Sequence, residues 1–207
     1  MAKSTSKPKS SKSTATASRG SSPGSTASGS AAGSSRGQMR DAMTPFLTAP
    51  EIAALTAKLA QQLMQDYRGK DLILICPLKG SCIFMADLMR QLDMPVQVDF
   101  VQVSAIERGG TIRILKDISM NIAGKHVVIV EEIIDTGRTL SFLKTRLLAS
   151  SPASLRILTL LDKPARRELP LQPDYVGQTI EDRYLVGYGM DTEEVGRNYG
   201  EIYFFKQ

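Results

Sequence analysis

The 207-residue sequence contains one histidine, two cysteines and no tryptophan, and it has no long apolar run. With His126 as the sole histidine, a multi-histidine metal centre is excluded. Cys76 and Cys82 stand among apolar or small neighbours, so they provide neither a disulfide framework nor metal-binding spacing, and a reduced, cytoplasmic setting is favoured. No apolar stretch approaches the ~20 residues that a membrane helix needs, so no membrane partner is expected. A Gly-x-x-x-x-Gly-Lys-Ser/Thr loop is missing, which disfavours a Walker-type nucleotide hydrolase. Acids are absent from residues 1–40, which hold seven of the 26 Lys and Arg residues. That leaves 19 basic against 21 acidic residues from position 41 onward. The net charge of +5 therefore belongs to the tail, and the rest of the chain gives no reason to expect nucleic-acid binding.

The tail is built from Ser, Thr, Ala, Gly and Lys without periodicity, so it cannot bury enough surface to offset ordering entropy. It reads as a disordered extension (1–40) before a single domain (41–207). An organellar transit peptide, basic and Ser-rich, is a second reading, and a nucleic-acid-binding arm is a third. Order is expected from near Thr44. Thr48-Ala49-Pro50-Glu51 has capping-box spacing, and Ile52, Leu55, Leu59 and Leu63 then keep helical spacing to about Tyr67.

The most informative stretch runs from Val127 to Thr139. Val127-Val128-Ile129-Val130 reads as a parallel strand buried on both faces, and Glu131 and Glu132 follow at its carboxyl end. Asp135-Thr136-Gly137-Arg138-Thr139 then turns into a helix carrying Leu140, Leu143 and Leu147 on one face. Such a turn gathers backbone N–H groups, hydroxyls and the positive end of a helix around a volume suited to a phosphate monoester. Paired acids beside a phosphate cradle suggest a sugar phosphate. A second strand-turn-helix precedes it: Leu72–Cys76, then Leu78-Lys79-Gly80-Ser81, then a helix with Ile83, Phe84, Leu88 and Met89. Val96–Val103 alternates as a strand, and Thr111–Leu115 reads as its antiparallel partner across Ser104–Gly110. Leu155–Leu161 is another apolar strand leading to Asp162-Lys163, and Asp174–Gln178 and Tyr184–Tyr188 read as short strands.

The strand, two acids, two apolar residues and the Asp-Thr-Gly-x-Thr loop together resemble the phosphoribosyl pyrophosphate (PRPP) motif of type I phosphoribosyltransferases. The later residues Lys163, Tyr184 near Val-Gly-Tyr, Asp191 and Arg197 occur in the order found in hypoxanthine-guanine phosphoribosyltransferases. The resemblance spans about residues 44–207. It implies an α/β fold: a doubly wound, mostly parallel sheet flanked by helices, with a small hood over its carboxyl edge. It implies purine salvage, in which a 6-oxopurine ring nitrogen attacks C1′ of PRPP, yielding IMP or GMP and pyrophosphate. It also implies a homo-oligomer, either dimer or tetramer.

By this resemblance Asp135 is the general base, and Asp135, Thr136, Gly137, Arg138 and Thr139 cradle the 5′-phosphate. Glu131 and Glu132 hold the ribose hydroxyls directly or through Mg²⁺, with Asp191 on a second Mg²⁺ through water. Leu78, Lys79, Gly80 and Arg197 form the pyrophosphate site, with a cis peptide expected before Lys79. Lys163 donates to the 6-oxo group, Tyr184 stacks on the base, and Leu185 meets its edge through the backbone, with Asp191 nearby. Two departures stand out. The second acid is Glu132 where Asp is usual, and the lid Ser104–Gly110 is short, with Ile106 where an aromatic is expected. A xanthine-preferring transferase and an RNA-binding regulator of the same fold are the alternatives.

Overall fold

The structure, a computed structural model, describes residues 43–104 and 111–206. The expectations for the tail and for Ala105–Gly110 of the lid fall outside these residues. Among the described residues nine strands and three helices follow one another: β1 Met43–Leu47, α1 Ala49–Asp66, β2 Leu72–Leu78, α2 Cys82–Gln91, β3 Val96–Val103 and β4 Ile114–Lys116 come first. After them come β5 His126–Ile134, α3 Arg138–Leu148, β6 Ser154–Asp162, β7 Tyr175–Thr179, β8 Leu185–Val186 and β9 Ile202–Phe205. A single 3-10 turn, Pro164–Arg166, follows β6.

The main sheet has the order β4-β3-β2-β5-β6-β7 and is parallel except for β4. Successive side chains of its central strands point to opposite faces, and both faces are covered. Leu72, Leu74, Cys76, Val128, Val130, Leu158 and Leu160 meet Ile52, Leu59 and Leu63 of α1 and Phe84, Met85 and Leu88 of α2. Ile73, Ile75, Val127, Ile129 and Ile157 meet Leu140, Leu143 and Leu147 of α3. Burying one such leucine contributes about 1.5–3 kcal/mol. This is the doubly wound arrangement expected from the alternation of apolar strands and amphipathic helices.

The connection from β2 leads through α2 to β3 on one side, whereas β5 lies on the other side of β2. The strand order thus reverses between β2 and β5, and a crevice at such a switch point is where open α/β sheets bind ligands. The two strands pair only from Leu72↔His126 to Ile75↔Ile129. Beyond that register they part, while β5 stays paired with β6 as far as Ile134↔Asp162. The sequence reading placed the two glutamates after the strand; they belong to it, because the β6 ladder carries β5 on to Ile134.

The capping box at Thr48 forms as expected. The Glu51 carboxylate accepts from the Thr48 backbone N–H at 2.8 Å and from its hydroxyl at 2.6 Å. Strand ends differ from expectation by one or two residues at β2 and β6, and three further boundaries differ. The partner of β3 is Ile114–Lys116, and the strand after β6 is shifted by one residue to Tyr175–Thr179. The run Tyr184–Tyr188 is strand only at Leu185 and Val186, because Gly187 and Tyr188 take positive φ and turn the chain. The hood is a separate antiparallel sheet of order β1-β9-β8, in which Met43–Leu47 pairs with Ile202–Phe205. Phe46 and Phe204 stack there with centroids 4.4 Å apart. Among the described residues no helix is long and apolar enough to cross a membrane.

Candidate active site

Glu131 and Glu132 occupy the opening where β2 and β5 part. Ser81, immediately before α2, hydrogen-bonds to both: its hydroxyl lies 2.6 Å from Glu131 Oε2 and also against Glu132 Oε2. Burial, and then the neighbouring Glu132 charge, hold the Glu131 carboxyl well above the usual range, and burial likewise raises that of Glu132. The extra methylene of Glu132 carries its carboxylate to the Lys79–Ser81 turn. A Cβ on Gly80 would lie 1.9 Å from Glu132 Oε1. Glycine at position 80 therefore makes room for the second acid.

The turn itself follows a cis peptide between Leu78 and Lys79, as the family resemblance implied. Its backbone also touches the hood, since a Cβ on Gly189 would fall 2.0 Å from the Gly80 carbonyl oxygen. Lys79 Nζ is 2.9 Å from Glu194 Oε2, and Arg197 Nη2 is 3.4 Å from the same oxygen. Arg197 also pairs with Asp191 at 2.8 Å and donates from Nη1 to the Gly189 carbonyl at 2.9 Å. Asp191 accepts the Glu194 backbone N–H through its other oxygen. Lys79, Arg197 and Asp191 are thus brought together as expected, with Glu194 between the two cations. Lys79, whose hydrogen bond has the largest effect, holds the Glu194 carboxyl below its ordinary range.

On the other side of β5, residues 131, 133–137, 139 and 140 line a cavity of about 150 Å³. Gly137 caps α3 with φ of +80°, a conformation glycine adopts without steric cost. The Arg138 side chain points out of this cavity to an ion pair with Glu168, so what Arg138 offers the cradle is its backbone. The Asp135 carboxylate lies 2.9 Å from Arg166 Nε. Arg167 reaches behind the loop, donating to the Asp135 carbonyl and pairing with the Asp162 carboxylate. The Glu168 backbone N–H donates to the Thr136 carbonyl at 3.0 Å. The 3-10 turn after β6 is therefore stapled to the cradle. Arg166 and Arg167 were given no role from the sequence; two adjacent arginines three and four residues after the strand-end Lys163 were the available signal.

Lys163 is only 6% exposed, and its backbone N–H donates to the Ile134 carbonyl. Its ammonium is 3.7 Å from Asp182, which also has Arg166 at 3.6 Å. This is a buried cation at a strand end and not a solvated loop lysine. Tyr184 is 39% exposed, its hydroxyl donating to the Asp191 carbonyl, and the following Leu185 is buried in β8. Among the described residues, no group of three or more His, Cys, Asp or Glu side chains is assembled to hold a metal. A pair of half-buried carboxylates whose ionisation is penalised nevertheless fits a hard divalent cation that takes its remaining oxygens from a substrate.

Residues 44–193 match the phosphoribosyl transferase domain model. The chain is 41% identical over 152 residues to a hypoxanthine-guanine phosphoribosyltransferase of Streptococcus thermophilus, covering 72% of this chain and 84% of that one. It is 41% identical over 156 residues to the Staphylococcus aureus protein of the same name, covering 73% and 87% respectively. A crystal structure of a hypoxanthine-guanine phosphoribosyltransferase from Bacillus anthracis superposes with a TM-score of 0.76 at 40% identity, over 79% of this chain and 97% of that one.

Proposed function

The chain belongs to the phosphoribosyl transferase family, and from that premise we propose that it transfers the phosphoribosyl group of PRPP to hypoxanthine or guanine, forming IMP or GMP and releasing pyrophosphate. The observation that carries this reading is the crevice between β2 and β5. There a small cavity at the Asp135–Thr139 loop, two half-buried carboxylates and a Lys-Gly turn are gathered at the carboxyl ends of β2 and β5.

In this reading the 5′-phosphate sits on the backbone N–H groups and hydroxyls of Thr136–Thr139, at the positive end of α3. Glu131 and Glu132 hold the ribose hydroxyls. Lys79, the Gly80 backbone and Arg197 receive the pyrophosphate as its bond to C1′ lengthens and the ribose acquires oxocarbenium character. Asp135 accepts the proton of the five-membered purine ring as that nitrogen bonds to C1′. Arg166 orients the Asp135 carboxylate. Lys163 donates to the 6-oxo group, Tyr184 stacks on the base, and the Leu185 backbone meets its edge. Mg²⁺ would be held by Glu131 and Glu132, and a second ion by Asp191 through water; bound there, such ions would supply positive charge to offset the charge developing on the leaving group.

The base preference follows from Lys163. An ammonium group has three donors and no acceptor, so it matches a 6-oxo group and opposes the 6-amino group of adenine. Ultraviolet assays with PRPP, Mg²⁺ and each purine in turn test the proposal. Conversion of hypoxanthine and guanine with pyrophosphate release is expected, and conversion of adenine at a comparable rate would overturn it.

A further inference from the structure

Glu194 is not among the residues assigned above, yet its carboxylate lies between the two cations of the proposed pyrophosphate subsite, Lys79 at 2.9 Å and Arg197 at 3.4 Å. It is carried there by a tight turn, Thr192-Glu193-Glu194-Val195, closed by hydrogen bonds of 3.0 Å in both directions between Thr192 and Val195. Glu193 and Glu194 have φ of +50° and +64°, so both central residues are left-handed. Such a turn normally uses Asn-Gly, and a residue with a Cβ is held there only at a conformational cost. An ordinary surface ion pair gives little in return, and Lys79 and Glu194 side chains are 57% and 65% exposed. Strain combined with placement between two cations marks the carboxylate as functional.

Resting on the proposed pyrophosphate subsite, we propose that Glu194 is a positioning residue that acts as a resident counter-ion. In the free protein its carboxylate holds Lys79 and Arg197 side by side, where their like charges would otherwise drive them apart. An incoming diphosphate displaces it, and the same carboxylate competes for the cations when pyrophosphate must leave. Glu194 thus weakens pyrophosphate binding while keeping its site assembled.

The test is calorimetric titration of the full chain with inorganic pyrophosphate and Mg²⁺ at low ionic strength. Glu194→Gln removes the competing charge and should lower the dissociation constant by about three- to tenfold. Glu193→Gln makes the same change in net charge at the exposed neighbour and should leave it within about twofold. Lys79→Ala should weaken binding and so reports on the subsite itself. Unchanged or weaker binding by Glu194→Gln, alongside weakened binding by Lys79→Ala, overturns the role of Glu194 and leaves the proposed reaction standing. Equal gains from Glu193→Gln and Glu194→Gln would reduce the effect to net charge and also overturn it. If the wild-type protein takes up no pyrophosphate, or Lys79→Ala binds it as well as wild type does, the subsite and the inference fall together.

Discussion

The two proposed anion sites on either side of the β2–β5 crevice are built from different materials. The cradle at 135–139 is mostly backbone, a left-handed glycine leading into the first turn of α3, buttressed from behind by Arg167 and the Glu168 backbone. The opposite site is mostly side chain, Lys79 from the end of β2 and Arg197 from the hood, 118 positions apart in the sequence. Backbone N–H groups at a helix start are fixed dipoles that need no balancing charge to keep their places. Two side-chain cations repel each other when no anion lies between them, and here a glutamate does. In the proposed reaction the pyrophosphate that must depart would meet the adaptable, side-chain site, while the phosphate that stays attached would meet the rigid, backbone one.

The largest effect should come from Asp135, which belongs to the rigid side. Asp135→Asn keeps the side chain's shape and its place beside Arg166, but removes the proton acceptor. Turnover should fall by roughly 10²–10⁴ while PRPP binding persists. Near-normal turnover in steady-state assays would move the base elsewhere.

Next is Gly80, in the turn that lies against Glu132. An added Cβ would stand 1.9 Å from Glu132 Oε1 and 3.2 Å from Oε2, so either the carboxylate or the turn must move. Displacing a catalytic group by an ångström is enough to cost about 10²-fold, and a loss of kcat/KM of that order is expected for Gly80→Ala. Full activity would mean that Glu132 need not lie against the turn.

The Lys163 ammonium pairs with Asp182 and, among the described residues, with no residue of either proposed anion site, so its replacement separates base selection from phosphate binding. A hydrogen bond to a charged group contributes about 1.5–3 kcal/mol, and about 1.4 kcal/mol is one decade. Lys163→Met should therefore lower kcat/KM for 6-oxopurines by about ten- to a hundredfold, with PRPP affinity nearly intact. Asp182 keeps Arg166 as a partner in that variant, so no carboxylate is stranded. Retained selectivity against adenine would reassign the lysine to a structural role.

What could be read from the sequence follows the same division. The cradle is contiguous, and the period of its apolar residues, its acids and its turn chemistry lie within 13 residues, from Val127 to Thr139. Local rules were enough to place the strand, the loop and the buried face of α3. The other site depends on pairings that no local pattern announces. Met43-Thr44-Pro45-Phe46-Leu47 lacks strand alternation and contains a proline, yet β1 pairs with β9 across the width of the chain. Thr192-Glu193-Glu194-Val195 has neither Gly nor Asn, so its turn could not be anticipated, and Glu194 was passed over with it. The reach of Glu132 became clear only once Gly80 was seen against its carboxylate.

The smallest effect concerns how each site obtains its left-handed residue, and it runs in opposite directions on the two sides. At the rigid site the residue is Gly137, and a Cβ there would both sit at φ of +80° and meet Arg167 Cδ at 2.9 Å. Gly137→Ala should cost about 1–2 kcal/mol from the left-handed conformation, with some further loss where Arg167 shifts from its bonds to Asp135 and Asp162. At the adaptable site the first left-handed residue is Glu193, exposed, with φ of +50°. Glu193→Gly removes the Cβ penalty but adds freedom to the unfolded chain, which offsets part of the gain, leaving about 0.5 kcal/mol of net stabilisation. For a protein of this size 1 kcal/mol moves Tm by about 2–4 °C. Thermal unfolding should therefore show a fall of roughly 2–8 °C for Gly137→Ala and a rise of about 1–2 °C for Glu193→Gly. Pyrophosphate affinity should be unchanged in the second variant, because Glu194 still reaches both cations. A fall in Tm for Glu193→Gly would show that the Glu-Glu turn is relaxed, removing the strain from the case for Glu194 while leaving its ion pairs to be judged by binding alone.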